Sequence, residues 1–451
     1  MIDRSHLTDL LVRERATFKE RNPRSFATYT GARHLFGRVP MTWMNKAAGG
    51  FPLYAAKASG ARVEDIDGHT LIDFCLGDTG AMAGHSPKPM VDAVVEQMAG
   101  KGGVTTMMPT ADADWVATEM TRRFGLPLWS FSLTATDANR WAIRLARAIT
   151  GRPKILFNSY CYHGTVDESL IVVGPDGHGI SREGNVGAPS DVTTTSRVAE
   201  YNDLEGLERE LAEGDVAAML MEPALTNMGI VLPREGYLAG VRALTKKYGT
   251  LLINDETHTF SAGPGGATRA WGLAPDMLTI GKAIAGGIPI GAYGMSKELA
   301  DHLESRADLD MVDVGGVGGT LAGNPVSIGA ARATLEHVLT DKAFEHMVSL
   351  STRFTAGVQQ VIDTHELPWS VSQLGARTEY RFTSPPPANG TESHAATDGE
   401  LEDYLHAYLA NRGILMTPFH NMALMSPVTT KEDVDRHHEV FDEAVGELVG
   451  G

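Results

Sequence analysis

Between about residues 88 and 330 of this 451-residue chain, short apolar runs alternate with segments of helical period, and few architectures satisfy that alternation. The runs are Leu128 to Leu133, Lys154 to Phe157, Val216 to Met221, Leu251 to Asn254 and Met277 to Ile280. Helical segments between them include Ala138 to Thr150 and Arg234 to Tyr248. In the latter, Leu238, Val241 and Leu244 share one face and Gly249 supplies the stop. The pattern predicts an α/β fold whose mostly parallel sheet is covered by helices on both faces. Ligands of such sheets lie beyond the carboxyl ends of the strands, so candidate site residues are sought there.

The flanking sequence reads differently. A helix is predicted over Leu7 to Arg21, and an irregular stretch rich in Arg, Gly and Pro follows. Ala61 to Phe74 alternates and turns at Asp67-Gly68, the signature of a hairpin. Beyond about residue 335 come a long amphipathic helix, strands near Trp369 to Ser372 and Thr378 to Phe382, and a final helix pair, Asp398 to Arg412 and Lys431 to Leu448. Residues 1–75 are expected to contribute to a smaller domain, 76–332 to form the large one, and 333–451 to complete the small α+β domain.

A formal charge of −17 argues against a nucleic-acid surface, which needs clustered Lys and Arg. No run approaches the roughly 18 apolar residues of a membrane span, and the polar start Met1-Ile2-Asp3-Arg4 is no secretory signal. A cytoplasmic location is the expectation, with Cys75 and Cys161 as two buried thiols. No metal site is expected.

Two apolar runs end on reactive groups: Leu251 to Asn254 leads into Asp255-Glu256, and Met277 to Ile280 leads through Gly281 into Lys282 and the glycine-rich turn Gly286-Gly287. Taken alone, Asp255 equally suits a helix cap or an arginine partner. Ser132 to Asn139 sets hydroxyls and small residues before a helix, which suits either a bound phosphate or an ordinary cap by Thr136. Tyr162, in Cys161-Tyr162-His163-Gly164, can cover a flat ring or simply pack. Gly318 to Pro325 adds Thr320 and further amides before another helix. A dinucleotide-binding oxidoreductase is disfavoured, because no Gly-x-Gly-x-x-Gly turn follows the first strand.

In this order, the motifs resemble the class III, fold type I pyridoxal phosphate aminotransferases, and within them the glutamate-1-semialdehyde aminomutase and β-amino-acid aminotransferase branch. The resemblance is carried by Ala142 to Arg147, Tyr162-His163-Gly164, Met221-Glu222-Pro223 with Asn227-Met228-Gly229, Asp255-Glu256, Gly281-Lys282, and Gly319-Thr320 with Gly323-Asn324-Pro325, and it runs from about residue 30 to the C-terminus. It implies pyridoxal 5'-phosphate as cofactor and a homodimer with shared active sites. Lys282 would form the Schiff base and shuttle the proton, and Asp255 would keep the pyridine nitrogen protonated. Thr134, Ala135 and Thr136 would hold the phosphate, with Thr320 reaching it from the other subunit. Tyr162 would stack on the ring, His163 would stand beside it, Glu222 would order its polar edge, and Thr257 would pack on its other face.

The chain departs from that family's usual pattern in two places. Thr134-Ala135-Thr136-Asp137-Ala138 stands where Ser-Gly-Thr-Glu-Ala is usual, and Thr257 stands where a valine usually packs on the ring. For a substrate carboxylate the candidates are Arg38 and Arg377, because Gly413 to Met422 contains no arginine. Trp43 and Phe419, with Met44, Met107, Met108 and Met422, are candidates for an apolar pocket and equally suit core filling. The expected reaction moves an amino group from an amine or β-amino acid to a keto acid or aldehyde by a ping-pong cycle. An intramolecular aminomutase is the alternative.

Overall fold

The computed structural model describes residues 2–187, 191–312 and 314–450. The chain forms two compact units. One comprises Met1–Pro87, Glu345–Pro386 and Ala396–Gly451, and the other Lys88–Phe344 and Pro387–Ala395.

The second unit is built on a seven-stranded sheet: β1 (Leu128–Ser132), β2 (Lys154–Asn158), β3 (Ser196–Ala199), β4 (Val216–Met221), β5 (Leu251–Asp255), β6 (Met277–Gly281) and β7 (Gly291–Met295). Their spatial order is β1-β7-β6-β5-β4-β2-β3. Pairings among β6, β5, β4, β2 and β3 are parallel, and only β7 runs antiparallel to its two neighbours. Every residue of β4 and β6 is buried, which explains why these strands read as unbroken apolar runs rather than as alternating ones. The sheet is therefore mostly parallel, as the sequence pattern predicts. Strands β3 and β7 lack that signal: Ser196-Arg197-Val198-Ala199 is short and half polar, and β7 carries Gly291 and Gly294.

The helix after β1 runs Ala135–Thr150 and starts three residues earlier than its apolar period suggests. Thr134, rather than Thr136, is its cap: the Thr134 hydroxyl oxygen accepts from the Asp137 amide at 3.1 Å, and the hydroxyl lies 2.9 Å from the Asp137 carboxylate.

In the first unit, helix Arg4–Arg21 is tied to helix Gly399–Asn411 through Glu14, whose backbone carbonyl and carboxylate both accept from Asn411 Nδ2. Strands Arg62–Asp65 and Thr70–Asp73 form the hairpin expected at Asp67-Gly68. Ser370–Leu374, Arg377–Arg381 and Met422–Leu424 form a separate antiparallel sheet. Phe74, Phe354 and Phe441, all buried, pack around His437. Cys161 is buried as expected, whereas Cys75 is only partly so, and both are free thiols.

One buried cation ties the site-bearing unit together. Arg123, 1% exposed, pairs with Glu119 at 2.7 Å and donates to the carbonyls of Pro264 (3.1 Å), Leu335 (2.9 Å) and Leu339 (2.9 Å). Replacing it with an apolar side chain leaves those acceptors desolvated. Arg123→Met is expected to lower unfolding free energy by about 3 kcal/mol, read from urea transitions; a change below about 1 kcal/mol would show that the ties carry no net stability.

Candidate active site

Lys282 follows β6 directly and sits at φ +50, a left-handed conformation that costs a residue with a Cβ on the order of 1 kcal/mol. A glycine would occupy that position more easily, so strain at this lysine points to a side chain retained for its chemistry. Its Nζ lies 3.0 Å from Nε2 of His258.

Asp255 ends β5 and stands opposite Thr279 of β6. Its carboxylate is 3% exposed and is held from three directions. Oδ2 accepts from Asn139 Nδ2 and from His163 Nδ1, each at 2.9 Å, and Oδ1 accepts from the Thr257 amide at 3.0 Å. Burial alone would raise the carboxyl pKa. The hydrogen bond and charge of His163, helped by Thr257 and Asn139, outweigh it and hold Asp255 down to about 2. His163 moves the other way: burial disfavours its charged form, but Cys161 and Asp255 more than compensate. Asn139 is fixed in turn, because its Oδ1 accepts from the Thr279 hydroxyl at 2.6 Å and its Nδ2 also donates to the His163 carbonyl at 3.1 Å.

The helix that starts at Ala135 lies against the lysine's own strand end. A Cβ on Gly281 would fall 3.0 Å from both the Cβ and the amide nitrogen of Ala135. The loop carrying Tyr162 and His163 reaches the same helix start, since the Thr165 amide donates to the Thr136 hydroxyl oxygen at 3.3 Å. A Cβ on Gly164, which has φ +76, would collide with that hydroxyl at 1.9 Å, so glycine is required there on two counts. Met221 pairs with Asn254, so Glu222 and Asp255 leave neighbouring strands at one level. Thr226 donates its hydroxyl to Glu222. Tyr162 is 42% exposed, and Thr320 is exposed on a loop. Thr257 is buried, with its hydroxyl close to the Asp255 carboxylate.

The second unit thus brings together Lys282, Asp255, Thr257, His163, Ala135 and Thr136, with Glu222 at the neighbouring strand end. Arg38, Trp43, Arg377 and Phe419 belong to the first unit. There the Trp43 and Phe419 rings meet edge to face at 5.8 Å. Arg38 is exposed with its guanidinium over the Tyr29 ring, whereas Arg377 is 1% exposed and donates to Thr79. Sequence reasoning did not single out Asn139, Thr279 or His258. The available signals were a polar residue among the apolar positions of a helix's first turns and a histidine three residues past a strand-end carboxylate.

The model of the aminotransferase class-III family matches residues 43–445. The chain belongs to this family. Among class-III relatives, it is 34% identical over 395 residues to a glutamate-1-semialdehyde 2,1-aminomutase of Desulfitobacterium hafniense strain Y51, covering 86% of this chain and 90% of the relative. Among solved structures, it is similar to a lysine-to-alanine form of a glutamate-1-semialdehyde aminomutase from Pseudomonas aeruginosa PAO1 in complex with PMP, at 44% identity, 99% coverage of both chains and a TM-score of 0.96. An ω-transaminase from Sphaerobacter thermophilus is 29% identical, with 94% of this chain and 97% of that one covered and a TM-score of 0.85. The fold is therefore fold type I, shared by class-III enzymes with different reactions.

Two measurements test this geometry in protein free of cofactor. Lys282→Gly should be more stable than Lys282→Ala by about 1 kcal/mol in denaturant titrations, because glycine relieves the left-handed backbone; equal stabilities would place no strain at residue 282. Asp255, with its pKa depressed to about 2 in the fold, contributes stability that is complete above the unfolded value of about 3.9 and is lost as pH falls toward 2. Asp255→Asn should remove about 2 kcal/mol of that pH dependence. Parallel stability profiles for the two proteins between pH 5 and about 2 would contradict the assignment.

Proposed function

We propose that this protein is a pyridoxal phosphate enzyme that moves an amino group, and that it moves the group between neighbouring carbons of one amino-carbonyl substrate. The observation that carries the cofactor reading is the pairing of a strand-end lysine, Lys282, with a buried and ionised carboxylate, Asp255, at the adjacent strand end. The cradle suits the cofactor in a further respect: a helix N-terminus borders the lysine's strand end.

When bound, pyridoxal phosphate supplies a sink for the electrons released when a bond at an amine-bearing carbon breaks. Asp255, charged at any working pH, would keep a proton on the pyridine nitrogen. Lys282 Nζ would tether the cofactor and then, once displaced by the substrate amine, take the proton from one carbon and return it at another position. Amides at Ala135 and Thr136 would bind the phosphate, with the Thr136 hydroxyl beside them. Tyr162 would cover one face of the ring, with Thr257 on the other. Glu222, oriented by Thr226, would order the polar edge where the amine enters. Thr320, exposed here, would reach the phosphate of a second copy, which makes the working form a homodimer.

The intramolecular reading is supported by the relatives named glutamate-1-semialdehyde aminomutase, at 34% and 44% identity. Transfer between separate donor and acceptor is the second reading, favoured by the ω-transaminase at 29% identity. Nitrogen-15 on glutamate 1-semialdehyde separates the two. A mutase should convert it, with no keto acid added, to the isomer bearing the amine on the neighbouring carbon and retain the label. Turnover that depends on added keto acid, with label passing to that acid, would establish the second reading instead. Lys282→Ala should abolish either reaction, and residual turnover above about 1% of the unaltered protein would overturn the lysine's role.

A further inference from the structure

His258 has no part in the chemistry outlined above, yet its Nε2 is 3.0 Å from the nitrogen that performs it. We propose that His258 is a positioning residue for Lys282, its Nε2 accepting one N–H of Nζ and so keeping the nitrogen's lone pair out of that direction. This role rests on the reading of Lys282 as the residue that links to pyridoxal phosphate.

The imidazole is offered by a rigid loop. Glu256, fully buried, accepts from the Thr259 hydroxyl at 2.5 Å and from the amides of Ala267 (3.1 Å) and Thr268 (2.5 Å). Gly266 lies so close to this carboxylate that a Cβ there would fall 2.3 Å from Oε2. On the other side of His258, the Thr257 amide is bound to Asp255 at 3.0 Å, and the His258 carbonyl accepts from the Ser261 amide at 3.2 Å. His258 is only 9% exposed. The backbone that carries its ring is therefore held on both sides of residue 258.

A lysine head on four methylenes has many orientations, and each must be frozen before its lone pair can attack a carbonyl carbon or take a proton. An amine nitrogen always carries an N–H to donate and an imidazole nitrogen can accept, so the 3.0 Å contact can run from Nζ to Nε2. With one N–H of Nζ pointing at Nε2, the lone pair points elsewhere. A hydrogen bond of this kind is worth up to about tenfold in rate.

The test adds pyridoxal phosphate to cofactor-free protein and follows the visible absorbance that reports covalent linkage, with borohydride trapping and mass spectrometry to locate it on Lys282. His258→Phe keeps a ring and removes the acceptor, and it should slow linkage about tenfold at unchanged melting temperature. His258→Gln offers an amide oxygen in place of Nε2 and should recover to within about threefold of the unaltered protein. Should the Phe variant fold poorly, His258→Leu supplies the same comparison. Linkage in the Phe or Leu variant as fast as in the unaltered protein, or a Gln variant as slow as Phe, would overturn the role of His258 while leaving the cofactor reading intact. Absence of linkage in the unaltered protein would instead overturn the cofactor reading, and this inference with it.

Discussion

The buried carboxylate of Asp255 is the point on which the site's geometry depends. Its donors come from the helix after β1, the loop after β2 and its own strand end, so three elements are located by one charge. An unpaired carboxylate so deeply buried would be neutral or would unfold the surrounding structure. With three donors it stays ionised, and it also fixes the side chains around it. Asn139 shows the economy of this arrangement: a single amide binds the carboxylate, the His163 carbonyl and the Thr279 hydroxyl, joining the helix to β5 and β6. Stability and the proposed chemistry share the same atoms here.

Much of this was legible in the sequence. Buried parallel strands read as apolar runs, and a charged residue ending such a run marks a strand's carboxyl end, which located Asp255 and Lys282. The cap was misread by one hydroxyl because Thr134 and Thr136 are chemically equivalent on paper, and only the reach of the Thr134 side chain to the Asp137 amide separates them. Strand β7 was hidden by its glycines, which are there because Gly291 and Gly294 lie against Thr134 and Trp129. Asn139 and His258 left only weak marks in the sequence, and neither mark names a partner. Their partners lie 116 and 24 residues away in the chain, and no local pattern records such a pairing.

Two departures from the usual family pattern acquire a physical reading. Ala135 adds a methyl where glycine is usual, and that methyl is tolerated because residue 281 has none: the two positions meet at a distance that admits only one Cβ comfortably. Thr257 introduces a buried hydroxyl at a position whose amide is already committed to Asp255.

The antiparallel strand β7 bears on how the site is assembled. Because Gly291 pairs with Gly281, the lysine lies in a short loop closed at both ends by neighbouring strands of one sheet. Closing so short a loop costs little chain entropy, so the turn that carries the amine is closed by local contacts. The carboxylate side is not, since Asn139 must find Asp255 across 116 residues. During folding, the lysine's turn can thus form from a hairpin-sized piece of chain, while the charge that completes the site waits for the long-range closure of the sheet.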